Sequence, residues 1–145
     1  MYELIRKFAQ RPKTIFLVDG LGALVTAFLL LVIMSKFEAY FGMPVTALRY
    51  LCIIATLFCL YSFACYYWVR NHWQPYLRAI SIANTLYCCL TIGLIIYHYS
   101  SLTILGIAYF VAESIIICTL VYIELKTLHV WKREQVPQAF NKTAD

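Results

Sequence analysis

Two acidic residues sit where acids are costly. Asp19 lies in the run FLVDGLGALVTAFLL and Glu113 in GIAYFVAESIIICTL, both long enough and apolar enough to be in contact with lipid. An ionisable side chain at membrane depth costs roughly 2.5–3.5 kcal/mol on insertion scales, so its presence points to a task. The tasks open to a carboxyl group there are few. It can hold a proton, pair with a cation, or serve as acid or base toward a substrate. It can also be protonated and donate a hydrogen bond to a neighbouring helix, acting only as packing glue. For Glu113 the two readings stand level. For Asp19 the structural one is helped by the helix N-terminus nearby, which tolerates negative charge.

The polar residues around them can be placed by depth. With a rise of about 1.5 Å per residue, Asp19 lies about 8 Å and Glu113 about 18 Å from the basic side of the membrane. Asn84 and Tyr66 fall at the level of Asp19, Thr26 and Thr91 at that of Glu113, and Ser62 between the two. Spacing of i, i+3, i+4 and i+7 puts Asp19, Gly22, Ala23 and Thr26 on one helix face, and Ser81, Asn84, Cys88 and Thr91 on another. Gly106, Tyr109, Glu113, Leu120 and Glu124 share a third. Small residues beside Asp19 allow a close neighbouring helix. These faces predict a polar core whose candidate ligand-binding or proton-handling residues are Asp19, Glu113, Asn84, Tyr66, Ser62, Thr26 and Thr91. Glu124 is read as interfacial, with no special role. The stretches 28–33, 53–55, 92–96 and 102–107 contain almost nothing polar, which disfavours an aqueous pore. A blind pocket facing the cytoplasm fits better.

The elements that hold these residues follow from composition. Of 145 residues 63% are hydrophobic and 13% charged, about half the charged share of a soluble domain. A chain this short cannot bury so much apolar surface in its own core. Lipid must therefore solvate most of it. Four stretches of the roughly 20 residues needed to cross a bilayer run over 14–34, 45–69, 79–97 and 102–125. Short connections make an up-down-up-down, all-α transmembrane four-helix bundle the simplest architecture. Residues 1–13 form a basic N-terminal segment, read as interfacial with Tyr2, Ile5 and Phe8 toward lipid, or as a frayed end. Residues 126–145 form a polar cytoplasmic tail, expected to be disordered from about Trp131.

Charge sets the orientation. Arg6, Lys7, Arg11, Lys13, Arg70, Arg78, Lys126, Lys132, Arg133 and Lys142 fall on one side, and only Lys36 and Arg49 on the other. The positive-inside rule then places both termini in the cytoplasm. The formal charge of +5 is thus topological, and its scatter gives no compact basic patch for nucleic acid. Tyr66, Tyr67, Trp68, Trp73 and Tyr76 mark one membrane interface, and Tyr97 and Tyr99 the other. Length, the lack of a small-residue cleavage site and the three further spans exclude a cleaved signal peptide. No internal repeat links the halves, so the inverted-repeat signature of many transporters is missing unless a homodimer restores it.

Cysteine and histidine chemistry is disfavoured. Cys52, Cys59, Cys65, Cys88, Cys89 and Cys118 all lie inside spans without a C-x-x-C pair, and they read as small polarizable hydrophobes. His72, His98 and His129 occupy a loop, an outer end and the tail, so neither metal nor haem is expected and no cofactor is implied.

The segments FLVDGLGA at 16–23, FGMP at 41–44, ANTLYCCL at 83–90 and YFVAE at 109–113 resemble parts of small, uncharacterised four-helix bacterial integral membrane proteins. That resemblance covers most of the apolar region and implies a fold without an activity. With the short loops and the absence of an obvious targeting segment, it leads to the expectation of a bacterial inner membrane.

Three functional readings follow. The favoured one is non-enzymatic binding of a small ligand or lipid headgroup in the cytoplasm-facing polar pocket, within a transport unit. The second is an accessory or assembly subunit of a larger membrane complex. The third is a membrane-embedded enzyme acting on a lipid or isoprenoid, with Asp19 and Glu113 as acid and base. No metal motif, nucleophile elbow or phosphate-binding motif supports that last reading. Expected partners are membrane lipid and a second copy or larger membrane protein, not nucleic acid.

Overall fold

The computed structural model describes residues 11–33, 36, 38–70 and 72–142. The expected interfacial segment before Arg11 lies outside them. Every regular element described is helical: α1 Pro12–Val32, the single turn α2 Glu38–Phe41, α3 Val45–Trp68, α4 Gln74–Tyr97 and α5 Ile104–Lys142. All but α2 are long and apolar enough to cross a membrane, with mean hydropathy from 1.8 to 2.5 over their spans. Only 28–39% of an 18-residue apolar stretch of each is buried inside the chain. The remaining apolar surface has no protein to cover it, so this is an integral membrane protein.

Prolines set two of the starts. Pro12 opens α1, and Pro75 sits in the first turn of α4. A missing N–H costs nothing there, and the fixed φ suits a helix. Pro75 therefore begins a helix at Gln74 instead of delaying one to residue 79. The other revision concerns α5. It runs unbroken to Lys142, well past its apolar stretch, so the tail expected to be disordered is helical through residue 142.

The helices pack as two close pairs, α1 with α3 and α4 with α5, which meet each other more sparingly. In the first pair Gly20 faces Phe63, and the Cys52 thiol reaches the Ala27 carbonyl at 3.6 Å. The second pair brings Trp73 edge-on to Trp131, with ring centroids 5.8 Å apart. Trp73 is therefore buried, while Tyr67, Trp68, Tyr97 and Tyr99 stay exposed as interface residues should. Two apolar clusters close the ends. Ile15, Phe16, Cys65, Trp73, Leu77 and Ile80 form one. The other gathers Leu30, Ile33, Phe41, Met43, Leu48, Leu102 and Phe110. In that second cluster two glycines are indispensable. Gly42 has φ +71°, and a side chain on it would strike the Ser101 carbonyl; one on Gly106 would strike the Phe41 carbonyl. Phe41 O also accepts the Thr103 N–H at 3.2 Å, which fastens the α2 turn to the start of α5.

Candidate functional site: a carboxyl pair at the seam between two helix pairs

All four long helices contribute to one buried polar cluster between the apolar ends. Asp19 projects inward from the second turn of α1 and is 2% exposed. The Ser62 hydroxyl of α3 donates to its Oδ2, and the Asn84 amide of α4 donates to its Oδ1 at 2.7 Å. Helix α5 supplies Glu124, which is 0% exposed. The Ser81 hydroxyl of α4 lies 2.8 Å from Glu124 Oε2 and 2.9 Å from the Leu77 carbonyl. Its one hydrogen serves either acceptor. Glu124 and Asp19 face each other within hydrogen-bonding reach, yet Glu124 Oε1 has no hydroxyl or amide donor. Two ionised carboxylates only accept, so this contact needs a shared proton, a cation or a bridging water between them. No Lys or Arg side chain among the described residues supplies the cation.

Glu124 thus replaces Glu113 as the acidic partner of Asp19. The signal was present in the shared face, since Glu113 and Glu124 are three helical turns apart. A span ending at residue 125 made Glu124 look interfacial. Because α5 continues as a helix to Lys142, Glu124 lies well inside it and is turned into the bundle.

Glu113 belongs to a second cluster along the α4–α5 pair. It is 8% exposed, and Tyr87 OH donates to its Oε1 at 3.2 Å. Its Oε2 has no partner, and neither do the hydroxyls of Tyr109 and Thr91. Tyr109 is one turn before Glu113 on α5, and Thr91 one turn after Tyr87 on α4. Three unpaired buried polar atoms so close in the fold are unusual in a native core. Of the other candidate residues, Ser62 and Asn84 bind Asp19 directly, while Thr26 is half-buried at the edge of the cavity described next. Tyr66 is not part of the site. It packs edge-on against Tyr67, with centroids 5.2 Å apart, beside the apolar cluster of Ile15 and Cys65.

A cavity of about 60 Å³ lies beside Asp19, with Asp19 and Asn84 on one wall and Tyr87 on another. Gly22, Thr26, Ile116 and Leu120 are among the other residues that line it. Gly22 and Ile116 are exposed, and a Cβ on Gly22 would meet open space. The mouth therefore lies sideways, between α1 and α5, where the two helix pairs hardly touch. The volume exceeds the roughly 10–15 Å³ that one water needs. It falls far below the roughly 300 Å³ at which sites for organic ligands begin.

All six cysteines are free. Two of them approach across α4 and α5, with the Cys88 and Cys118 sulfurs 3.8 Å apart. A disulfide needs about 2.05 Å, so a small helix adjustment would join them. Treatment with diamide should remove both thiols together, and in Cys118→Ser the Cys88 thiol should persist. Thiol counting by intact mass checks this, and loss of the Cys88 thiol in that variant would mean a different helix register. Among the described residues no three His, Cys, Asp or Glu side chains converge as a metal site. No family model, no curated protein and no solved structure matches the chain. The reading of function therefore rests on this geometry.

Proposed function

We propose that this is a non-enzymatic membrane protein that takes a proton or a small monovalent cation onto the Asp19–Glu124 pair, as the binding element of a transport unit. One observation carries the reading: two fully buried carboxyls from different helix pairs face each other with no basic side chain between them. A positive charge at that point would satisfy both carboxyls and tie α1 to α5 across the loosely packed seam. The cavity beside Asp19 is of a size for water or an ion, which narrows the expected ligand and argues against a lipid headgroup. We read the architecture as up-down-up-down with both termini in the cytoplasm of a bacterial inner membrane. Contacts such as Asp19 to Ser62 and Ala27 to Cys52, which pair later residues of α1 with earlier ones of α3, support that topology. The ten-to-two split of basic residues supports the orientation.

Infrared spectra of the protein in lipid vesicles test the reading, followed across pH and sodium concentration. A protonated-carboxyl band that responds to pH and is lost in Asp19→Asn and Glu124→Gln identifies a proton site. A band that appears only when sodium is withdrawn identifies a cation site. A band indifferent to both would return the pair to packing and sink the proposal.

A further inference from the structure

The α4–α5 pair carries a second feature that the carboxyl cluster does not use. At the end of the bundle where α4 begins, a groove of about 590 Å³ runs between the two helices. Its upper rim holds Arg78 from α4 and Lys132 from α5, and its lower wall is Ala79, Ile82, Leu128 and Trp131. Both cations are exposed, and neither has a carboxylate partner among the described side chains. Lys126, one to two turns away on α5, is by contrast already seated over the Tyr122 ring at 5.6 Å. The order of chemistry down the groove is fixed by the helices. One turn below Arg78 comes Ile82, and one turn below Lys132 comes Leu128. A second groove of about 510 Å³ lies further along the same two helices, lined by Ile92, Val111, Ile115 and Cys118 among others. From Ile82 to Ile92 is about 15 Å at the helical rise, a distance that an acyl chain spans.

We infer that this groove binds one anionic glycerophospholipid, its phosphate between Arg78 and Lys132 and an acyl chain laid along the α4–α5 seam. Charge complementarity selects the headgroup. Two cations from different helices line one rim, where no described side chain supplies an acid, and basic pockets between transmembrane helices are suited to anionic headgroups. The apolar wall directly beneath selects a lipid over a free phosphate, since a soluble anion would leave Ile82 and Leu128 unused. Trp131, held by its contact with Trp73, marks the level of the membrane interface. The inference is independent of the Asp19–Glu124 reading, because no residue is shared between the two sites.

Native mass spectrometry of the full chain from micelles doped with phosphatidylglycerol or phosphatidylcholine of matched chains tests it. At about 1 kcal/mol per basic residue, the pair should favour the anionic lipid roughly 30-fold. The double variant Arg78→Gln, Lys132→Gln should retain both lipids equally. Raising the salt should erode the preference in the unmodified protein, which gives a reading that needs no variant. Equal retention of the two lipids by the unmodified protein would overturn the proposal, as would a preference indifferent to both the substitutions and salt. Competition by glycerol phosphate as effective as by the whole lipid would also overturn it, in favour of a plain anion site.

Discussion

Asp19→Ala should destabilise the protein by about 3 kcal/mol, seen as an earlier midpoint when it is unfolded from mild detergent by a harsh one. The substitution removes the acceptor of two buried donors, the Ser62 hydroxyl and the Asn84 amide. Each donor left unsatisfied costs roughly 1–3 kcal/mol. The loss should be recoverable without restoring the acid. Changing all three partners together, Asp19→Leu, Ser62→Ala and Asn84→Leu, removes donors and acceptor at once, and such replacements are often neutral or better. That triple variant should unfold near the wild-type midpoint while having no response to pH or sodium, which separates stability from ligand handling. A gain in stability from Asp19→Ala alone would mean that relief from the facing Glu124 carboxyl outweighs two lost hydrogen bonds.

The second large effect is expected at glycines, and it should change sign along the chain. Gly42→Ala and Gly106→Ala should each cost about 3 kcal/mol. At Gly42 the left-handed backbone disfavours any side chain by about 1–3 kcal/mol, before the collision with the Ser101 carbonyl is counted. At Gly106 the obstacle is the Phe41 carbonyl. Neither obstacle is the tip of a flexible side chain, and the Phe41 carbonyl is held by the Thr103 N–H. Gly22→Ala and Gly93→Ala meet nothing and should gain up to about 1 kcal/mol from helix propensity. Comparing the four midpoints checks the junction between α2 and α5. Equal effects at all four positions would mean that the α2 turn does not pack there. Gly22→Ala has a further use, since its added methyl narrows the cavity mouth without touching Asp19.

The sequence by itself determined the membrane solvent, the four spans, and the inward faces of α4 and α5. These follow from hydropathy and from helical periodicity, both properties of a segment taken alone. Asp19 and Asn84 were legible for the same reason, since polar side chains at one depth in lipid must find each other, and Ser62, placed between the two levels, reaches Asp19 from above it. Tyr66 was placed by depth as well, but depth does not give rotation about the helix axis, and that rotation turns it toward Tyr67. Pairing was decided only by the tertiary structure. Which acid faces Asp19 depends on how far α5 extends and how it is rotated and shifted against α1, and a hydropathy window cannot locate the end of a helix that continues into polar sequence. Glu124 went unread for that reason. The lateral mouth at Gly22, the Cys88–Cys118 approach and the convergence of Arg78 with Lys132 likewise join residues far apart in the chain. Their juxtaposition is fixed by the packing of two helix pairs, and lipid, unlike water, drives that packing through shape and polar contact more than through hydrophobicity.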